Sequence, residues 1–414
     1  MRFLLLTFGC KSNQYESQFL RESLVSRGLE EVETALLADV LIVNTCAVTG
    51  RAGSTCRSAI RRSLRENPQL QLMLTGCAVE VEEEWLAAFP QALREGNARK
   101  PFIPDRLLGK SGETPAASVK AGVTGLKNHT RVFLKIQDGC DQHCAYCLIP
   151  RARGEPSSRD PDDLVREAAV LAGNGYPEIV LTGINIGFYR FQAVGLASLL
   201  DRLAPCIGST RLRLGSVEPA AVTEELLLAI KRHPAVCHHL HIPLQSGDPR
   251  ILQAMRRRYS PEEFLEKVAL SREILDHPAI TSDVIVGFPG EDGDAFQNTR
   301  EVCRQAAFSR LHVFHYSRRP GTPAADLPTT TPTDVISKWK RLLLLQAARQ
   351  AEQYAASQTG REERVVAEVS GSRTDRYLLA DIEPLPRPGA ILRTRITGSR
   401  GARVTGVVIP DQKQ

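Results

Sequence analysis

Residues 137–147 read Gln-Asp-Gly-Cys-Asp-Gln-His-Cys-Ala-Tyr-Cys, which places three thiols, Cys140, Cys144 and Cys147, at a Cys-x3-Cys-x2-Cys spacing. An apolar, strand-like run, Val132–Ile136, comes directly before them. Thiolates are soft ligands that select zinc, copper(I) or iron–sulfur clusters. Structural zinc normally takes four ligands in two separated pairs, whereas three thiolates suit a four-iron cluster with one iron left open. The stretch therefore favours an iron–sulfur cluster over zinc, and His143, between two cysteines, is poorly placed to complete a zinc site.

This spacing resembles the radical S-adenosylmethionine (SAM) superfamily, in which an aromatic residue usually precedes the third cysteine, as Tyr146 does here. The resemblance implies that the open iron chelates SAM. It also implies that Cys140, Cys144 and Cys147 hold the catalytic cluster, from which one electron cleaves SAM and leaves a 5′-deoxyadenosyl radical.

Length and composition set the broad class of the protein. A chain of 414 residues with 42% hydrophobic and 24% charged residues is expected to form two or three ordinary globular domains. No run of eighteen apolar residues occurs, so we expect no membrane span, and the short apolar N-terminus is interpreted as a first strand. Ten cysteines in a chain that we expect to be cytoplasmic favour metal binding over disulfides. A net charge of +6 is compatible with a nucleic-acid partner but does not establish one.

The first segment, residues 1–110, alternates strand-like and helix-like stretches, which predicts a parallel sheet. Cys10, Cys46 and Cys77 each follow one of three predicted strands, and parallel sheets build ligand sites outside the carboxyl ends of their strands. Three buried apolar cysteines are the alternative, since free cysteine is often buried. The shared position favours a second three-thiolate cluster. Cys56 lies within a predicted helix and is interpreted as a core or surface residue.

The same segment narrows the resemblance to the methylthiotransferases, radical SAM enzymes with two clusters. The motifs are Thr-Phe-Gly-Cys-Lys-Ser-Asn-Gln-Tyr-Glu-Ser at 7–17, Asn-Thr-Cys-Ala-Val-Thr at 44–49 and Thr-Gly-Cys-Ala at 75–78. Gly-Cys-Lys-x-Asn-Gln resembles the branch that modifies N6-threonylcarbamoyladenosine in tRNA. The isopentenyladenosine branch usually has Gly-Cys-Gln-Met-Asn, and the ribosomal-protein branch Gly-Cys-Pro-Lys-Asn.

Residues 111–128 are interpreted as a linker and residues 129–357 as a radical SAM domain. Six strand-like runs separated mostly by helical stretches predict a partial (βα)6 barrel of the TIM type, with its chemistry at the strand carboxyl ends. These runs are Val132–Ile136, Ile179–Leu181, Leu212–Leu214, His238–Ile242, Ile280–Val286 and Arg310–His315.

The loops after these strands hold the residues that the resemblance assigns to SAM binding: Gly183, Asn185, Glu218, Gln245 and Arg256. A plain turn remains the alternative for Asn185. For Arg256 and its neighbours Arg257 and Arg258, the alternatives are a solvated helix end and contacts with tRNA phosphates.

Residues 358–414 carry short β runs broken by glycine and proline, which predict a small β-barrel. The segment resembles the TRAM domain, an RNA-binding module, and Arg393 and Arg395 suggest a basic face; a purely structural cap is the alternative. The expected fold class is therefore α/β multidomain, with an N-terminal parallel βα domain, a central barrel and a C-terminal β-barrel.

The resemblance implies an enzyme with two 4Fe-4S clusters and SAM that places a methylthio group on carbon 2 of N6-threonylcarbamoyladenosine at tRNA position 37. A radical cofactor suits this reaction because acid–base groups do not functionalise an unactivated carbon–hydrogen bond. Partners would be the tRNA anticodon stem-loop and a reductant such as flavodoxin or ferredoxin. Isopentenyladenosine or a ribosomal protein as substrate, and a non-catalytic iron–sulfur RNA-binding sensor, remain alternatives. The candidate cations for the threonylcarbamoyl carboxylate are Arg151, Arg153, Arg318 and Arg319.

Overall fold

The structure is a computed structural model that describes residues 1–47, 50–82, 86–110, 122–369 and 371–410. The predicted linker at 111–128 lies outside the described residues as far as position 121. The acidic run Glu80–Glu84, which predicts a helix start after the third strand, also falls partly outside them, at Glu83 and Glu84.

The N-terminal segment is a five-stranded parallel sheet of order β2-β1-β3-β4-β5, which confirms the predicted architecture. Its strands are β1 Arg2–Thr7, β2 Glu30–Glu31, β3 Val40–Thr45, β4 Gln71–Gly76 and β5 Leu93–Glu95. Its helices are α1 Lys11–Val25, α2 Gly50–Glu66, α3 Cys77–Val81 and α4 Ile103–Leu107. The two short edge strands, β2 and β5, were not predicted, since neither has an apolar run of its own.

The sheet is covered on both faces. Alternate residues of the central strand β3 point to opposite sides, so Leu41 packs in the cluster that contains Ile60 of α2, while Ile42 packs in the cluster that contains Leu20 of α1. Every residue of β3 is buried, as the continuous apolar run predicts for a strand between two layers.

The central segment confirms the predicted partial barrel of six parallel strands. They are β6 Arg131–Lys135, β7 Glu178–Thr182, β8 Arg211–Leu214, β9 His239–His241, β10 Ala279–Val286 and β11 Arg310–His315. The first three and the last three form two parallel sheets. Parallel bridges between Leu212 and Val236, and between Ser216 and His241, join the two sheets into one curved wall.

Helices follow the barrel strands, and the longer ones pack in one apolar core with them. They are α5 Ile149–Arg153, α6 Pro161–Gly173, α7 Leu196–Leu203, α8 Glu224–Arg232, α9 Pro249–Ala254, α10 Pro261–Ile274, α11 Gly293–Ala306 and α12 Thr333–Ala356. In the sequence, a capping residue before proline at Asp160-Pro161 and a capping-box pattern at Ser260–Glu263 predict two helix starts, and the structure confirms both. Asp160 caps α6 by accepting from the amide of Asp162, and Ser260 and Glu263 form a complete capping box at α10.

The C-terminal segment is a closed barrel of five strands in the order β12-β13-β14-β16-β15, as the small β-barrel prediction required. Its strands are β12 Glu362–Val366, β13 Ser372–Thr374, β14 Leu379–Glu383, β15 Ile391–Arg400 and β16 Arg403–Val408. The sequence predicted four of them; the fifth, β13, is only three residues long and has no apolar run.

This small barrel closes the amino end of the central barrel. Arg211 and Arg213, at the start of β8, are buried and pair with Glu178 at the start of β7. Arg211 also donates to the carbonyl of Arg364 at 2.8 Å, and Arg213 to the carbonyl of Asp375 at 2.8 Å. The opposite, carboxyl end of the barrel is left for the loops that carry the cysteines. Among the described helices, none has the length and apolarity that a bilayer span requires.

Candidate active site

The Cys140–Cys147 loop is shaped by a glycine. Gly139 has φ of 70°, and a Cβ there would lie 2.0 Å from the carbonyl oxygen of Glu155. Only glycine therefore allows the two backbone segments to come this close. The amide of Cys140 donates to the carbonyl of Gly154 at 3.1 Å, which fixes the start of the loop against the end of α5.

Each thiol of this loop has a donor beside it. The amide of Gln142 lies 3.5 Å from Sγ of Cys140, and the amide of Ile149 lies 3.4 Å from Sγ of Cys147. The remaining thiol of the loop, Cys144, accepts a hydrogen bond from the guanidinium of Arg257 at 3.1 Å. Donors aimed at sulfur favour the thiolate form that binds iron.

Burial acts in the opposite direction on two of these thiols, Cys140 and Cys147. It raises the pKa of Cys140, and it raises the pKa of Cys147 to about 12. Such thiols stay protonated in the absence of metal, so they are poor nucleophiles by themselves. Their arrangement suits iron binding, in which the metal displaces the proton.

In the N-terminal domain, Cys10, Cys46 and Cys77 follow β1, β3 and β4, which are neighbours in the sheet. The loops are in close contact, because a Cβ on Gly9 would lie 2.7 Å from Sγ of Cys46. Burial raises the pKa of the Cys77 thiol. The topology therefore brings the three predicted ligands to one edge of the sheet.

The third of these cysteines sits at a helix start that differs from the prediction. The helix begins at Cys77 itself and not at Glu80, because Gly76 ends the strand with φ of 97°. A Cβ on Gly76 would lie 2.4 Å from the carbonyl oxygen of Thr45, so glycine is required for the loops to meet. Cys56, which the sequence placed either in the core or at the surface, is buried. It lies on α2 and packs in the apolar cluster that contains Leu41.

No three His, Cys, Asp or Glu side chains within the described ranges converge closely enough to hold a single metal ion. A four-iron cluster takes each thiolate on a different iron. The fit of both cysteine sets therefore rests on their thiolate chemistry and their shared placement at strand carboxyl ends.

Two of the predicted SAM residues lie on the loop after β7 and are joined to the cysteine loop by Gln137. Gly183 lets that loop approach closely, since a Cβ there would be 2.8 Å from the carbonyl oxygen of Gln137. The side-chain oxygen of Gln137 accepts from the amides of Ile184 and Asn185 at 3.1 and 2.8 Å. Oδ1 of Asn185 is buried and has no partner, which leaves it free to accept from a ligand. Gln137 was not among the predicted site residues, and only its place shortly before the first cysteine could have marked it.

Glu218 and Gln245 also lie at the carboxyl ends of the barrel strands. Glu218 pairs with Arg257; burial raises the pKa of Glu218, and this guanidinium opposes the shift. Gln245 has φ of 62°, an uncommon conformation for a residue other than glycine, and its amide donates to the carbonyl of Asp283 at 2.8 Å.

The cation that enters this site is Arg257 rather than the predicted Arg256. Arg256 is exposed at the end of α9. The side chain of Arg257 is 4% exposed and stacks over the ring of Tyr259 at 5.0 Å. The residues after a helix end turn through large angles, so sequence position alone could not decide which of three consecutive arginines points inward.

The two cysteine regions are connected by a buried ion cluster. Arg153, at the end of the helix that follows Cys147, has a side chain with 0% exposure. It donates to Glu16 at 2.7 Å and to Asp138 at 2.9 Å. Glu16 also accepts from Lys135 at 2.5 Å. The prediction that Arg153 binds the substrate carboxylate is therefore wrong, because its terminal nitrogens are already bound within the protein.

Three cations surround the two carboxylates of this ion cluster, Glu16 and Asp138. Burial alone would raise the pKa of Glu16, but Lys100, Lys135 and Arg153 hold it well below its usual range. Packing adds to the connection, since Leu148 and Ala152 lie in one apolar cluster with Cys77. The two domains thus meet at the helix between the two sets of cysteines.

The remaining candidate cations are placed differently from one another. Arg151 is exposed and donates to the carbonyl of Gly321 at 3.1 Å, while Arg318 is exposed. Arg319 has a side chain that is only 11% exposed, on the loop after β11.

Known protein families match both segments of the chain that carry the proposed cluster cysteines. The family described as "Radical SAM superfamily" matches residues 134–303, and the "Uncharacterized protein family UPF0004" matches residues 2–94.

Relatives of two kinds extend over most of the chain. The chain is 35% identical to threonylcarbamoyladenosine tRNA methylthiotransferase MtaB of Chlamydia pneumoniae, over 88% of this chain and 86% of the relative. It is 34% identical to the protein of that name in Bacillus subtilis (strain 168), over 89% and 85%. It is 33% identical to tRNA-2-methylthio-N(6)-dimethylallyladenosine synthase of Mycolicibacterium paratuberculosis, over 95% and 83%.

Among solved structures, the chain resembles the radical SAM methyltransferase TsrM of Kitasatospora setae, with a TM-score of 0.62 and 15% identity. The match covers 78% of this chain and 75% of TsrM. At this identity the likeness concerns the fold alone.

Proposed function

Because the chain belongs to the radical SAM tRNA methylthiotransferases, we propose that it converts N6-threonylcarbamoyladenosine at tRNA position 37 to its 2-methylthio derivative. The observation that carries the proposal is the 35% identity to threonylcarbamoyladenosine tRNA methylthiotransferase MtaB over 88% of the chain. The Lys11-containing motif after the first strand, Gly-Cys-Lys-x-Asn-Gln, supports the same branch.

We assign the two clusters to the two sets of cysteines. Cys140, Cys144 and Cys147 would hold the cluster that binds SAM, since they lie in one compact loop beside Gly183, Asn185 and Glu218. Cys10, Cys46 and Cys77 would hold the second cluster, at the edge of the N-terminal sheet. When bound, the two 4Fe-4S clusters and SAM supply one-electron cleavage of SAM and a sulfur for transfer.

The residues of the chain orient these groups. Asn185 offers an unpaired buried oxygen to a donor of SAM, and Gln137 holds the Asn185 loop against the cysteine loop. Arg257 donates to both Cys144 and Glu218, so it fixes the position of the carboxylate relative to the cysteine loop. Gln245 and the exposed Arg256 remain proposed SAM contacts on sequence grounds.

The partner would be the anticodon stem-loop of tRNA, where position 37 lies in single-stranded RNA whose bases are accessible to protein. A reductant such as flavodoxin or ferredoxin would supply the electron, and the cytoplasm is the compartment that we propose. The C-terminal barrel would contact RNA through Arg393 and Arg395. They are two residues apart in β15 and therefore lie on the same, exposed face of that strand.

A second candidate substrate is isopentenyladenosine, because the chain is 33% identical to a dimethylallyladenosine-modifying synthase over 95% of its length. The reaction would be the same, and only the group on N6 would differ.

Nucleoside mass spectrometry of tRNA from a strain that lacks this gene tests the proposal. We expect the 2-methylthio derivative of N6-threonylcarbamoyladenosine to disappear and the unthiolated nucleoside to accumulate. Loss of the isopentenyl derivative instead would assign the chain to the second substrate.

A further inference from the structure

The loop after β11 carries two buried polar groups without partners. Nε and Nη2 of Arg319 and the hydroxyl of Tyr316 are each inaccessible to solvent and make no hydrogen bond. Arg319 has one weak ion pair, with Nη1 lying 3.9 Å from Oε1 of Glu82. A buried guanidinium without acceptors is unfavourable unless a ligand provides them.

This loop lies against the SAM-cluster loop. The amide of Ala324 donates to the carbonyl of Ala145 at 2.8 Å, within the three-cysteine motif. The ring of Tyr316 packs edge-on against Phe288 at 5.4 Å, and Phe288 packs against Tyr146 at 6.4 Å. The unpaired groups are therefore held close to the proposed SAM cluster.

The ion pair with Glu82 places Arg319 at the junction of the two domains. Glu82 directly follows the helix that begins at Cys77. Any base that is to receive sulfur from the N-terminal site and lose hydrogen at the SAM site must enter this junction. A buried cation here, with a hydroxyl three residues before it, offers donors for a carboxylate and a partner for a hydroxyl.

We propose that Arg319 binds a carboxylate, with the hydroxyl of Tyr316 on the same loop as a further donor, and that this carboxylate belongs to the threonylcarbamoyl group of the substrate base. The inference rests on the proposed function and extends it to the residue that selects the substrate. SAM also carries a carboxylate, so the same chemistry has two sources, which the experiment must separate.

The experiment uses the full-length, cluster-reconstituted enzyme and two synthetic anticodon stem-loops. One carries N6-threonylcarbamoyladenosine, and the other carries its neutral carboxamide. The wild type is expected to prefer the acid by about tenfold or more in kcat/KM, the effect of one charged hydrogen bond. Arg319→Gln should lose this preference while it retains SAM cleavage in the absence of RNA. Arg318→Gln, which changes the exposed neighbour, is the matched control and should keep both properties.

Three results would overturn the inference. The first is a wild type that treats acid and carboxamide alike, which needs no variant to fold. The second is an Arg319→Gln enzyme that keeps the preference. The third is an Arg319→Gln enzyme that loses SAM cleavage without RNA, which would assign the carboxylate to SAM. A wild type inactive on both stem-loops but active on isopentenyladenosine would contradict the proposed function itself and is thus distinguishable.

Discussion

The guanidinium of Arg153 donates to Oδ1 of Asn13 at 2.5 Å and so joins the two domains beside their cysteines. Arg153 ends the helix that follows Cys147, and Asn13 lies in the first turn of the helix that follows Cys10. Nδ2 of Asn13 in turn donates to the carbonyl of Thr45, directly before Cys46, at 2.8 Å. One chain of contacts therefore runs from the SAM-cluster loop to two loops of the proposed second cluster.

Replacing Arg153 with methionine should separate SAM cleavage from methylthiolation. The change leaves Oδ1 of Asn13 without this donor and removes one cation from Glu16, at a cost of roughly 1.5–3 kcal/mol in the free energy of unfolding. The SAM loop loses the Arg153 donor to Asp138 but keeps Lys135 on that carboxylate, so deoxyadenosine production should persist while methylthio product per deoxyadenosine falls several-fold. Urea unfolding and product ratios measure the two effects. Arg151→Met, two residues earlier in the same helix and exposed, is the control, and equal behaviour of both variants would contradict the proposed coupling.

Alanine variants of the two sets of cysteines should lose different activities. Changing Cys140, Cys144 and Cys147 to alanine should abolish deoxyadenosine production and leave about half of the bound iron, because one of two equal clusters is lost. Changing Cys10, Cys46 and Cys77 should preserve SAM cleavage and abolish sulfur transfer. Iron content and product analysis measure both. The exposed Cys206→Ala serves as a control. Full methylthio product from the second triple variant would exclude the two-cluster assignment.

Short motifs and strand periodicity were sufficient to predict the three domains' fold and the topological position of all six proposed ligands. The reason is physical. Ligand sites of a parallel sheet form outside the carboxyl ends of its strands, so a cysteine directly after a strand must lie at that edge of the sheet. Side-chain direction was not predictable in the same way. Arg153 looked available for substrate but is buried among carboxylates, and Arg257 rather than Arg256 turns inward. Both outcomes depend on contacts between residues more than a hundred positions apart, such as Arg153 with Glu16.

Glu291, on the loop after β10, should make stability depend on pH. Burial raises its pKa to about 7, although the amides of Gly287 and Phe288 oppose this by donating to the carboxyl group. The raised pKa means that the folded state favours the protonated form. This stabilising contribution is fully present below the unfolded pKa of 4.5 and is lost as pH rises through about 7. The loss amounts to roughly 3 kcal/mol.

Glu291→Gln keeps the side-chain shape and removes the titration. The urea midpoint of the wild type should fall more than that of the variant between about pH 5 and about pH 8. Parallel midpoints for the two proteins over this range would mean that Glu291 titrates normally in the fold.

The C-terminal barrel is best tested at its surface, since deleting it would uncover the buried Arg211 and Arg213. Arg393 and Arg395 are exposed and share Glu362 at 2.7 and 3.1 Å. If both contact phosphates, Arg393→Gln with Arg395→Gln should reduce the slope of log affinity against log salt by about 1.4, or ~0.7 per phosphate. Fluorescence anisotropy with a labelled stem-loop measures the slope. Arg304→Gln, which breaks an exposed pair with Glu301 on α11, should leave it unchanged. An unchanged slope in the double variant would favour a purely structural cap.

The most direct test of the account is a competition between two tRNAs for the purified, reconstituted enzyme. One tRNA carries N6-threonylcarbamoyladenosine at position 37 and the other carries isopentenyladenosine, and both products are measured by nucleoside mass spectrometry. A site in which Nε and Nη2 of a buried arginine, Arg319, lack acceptors should reject the apolar group by a large factor, since these nitrogens would then stay without hydrogen bonds. The account predicts methylthiolation of the threonylcarbamoyl form with at most trace product from the isopentenyl form. Comparable turnover of the two, or preference for the isopentenyl form, would contradict it.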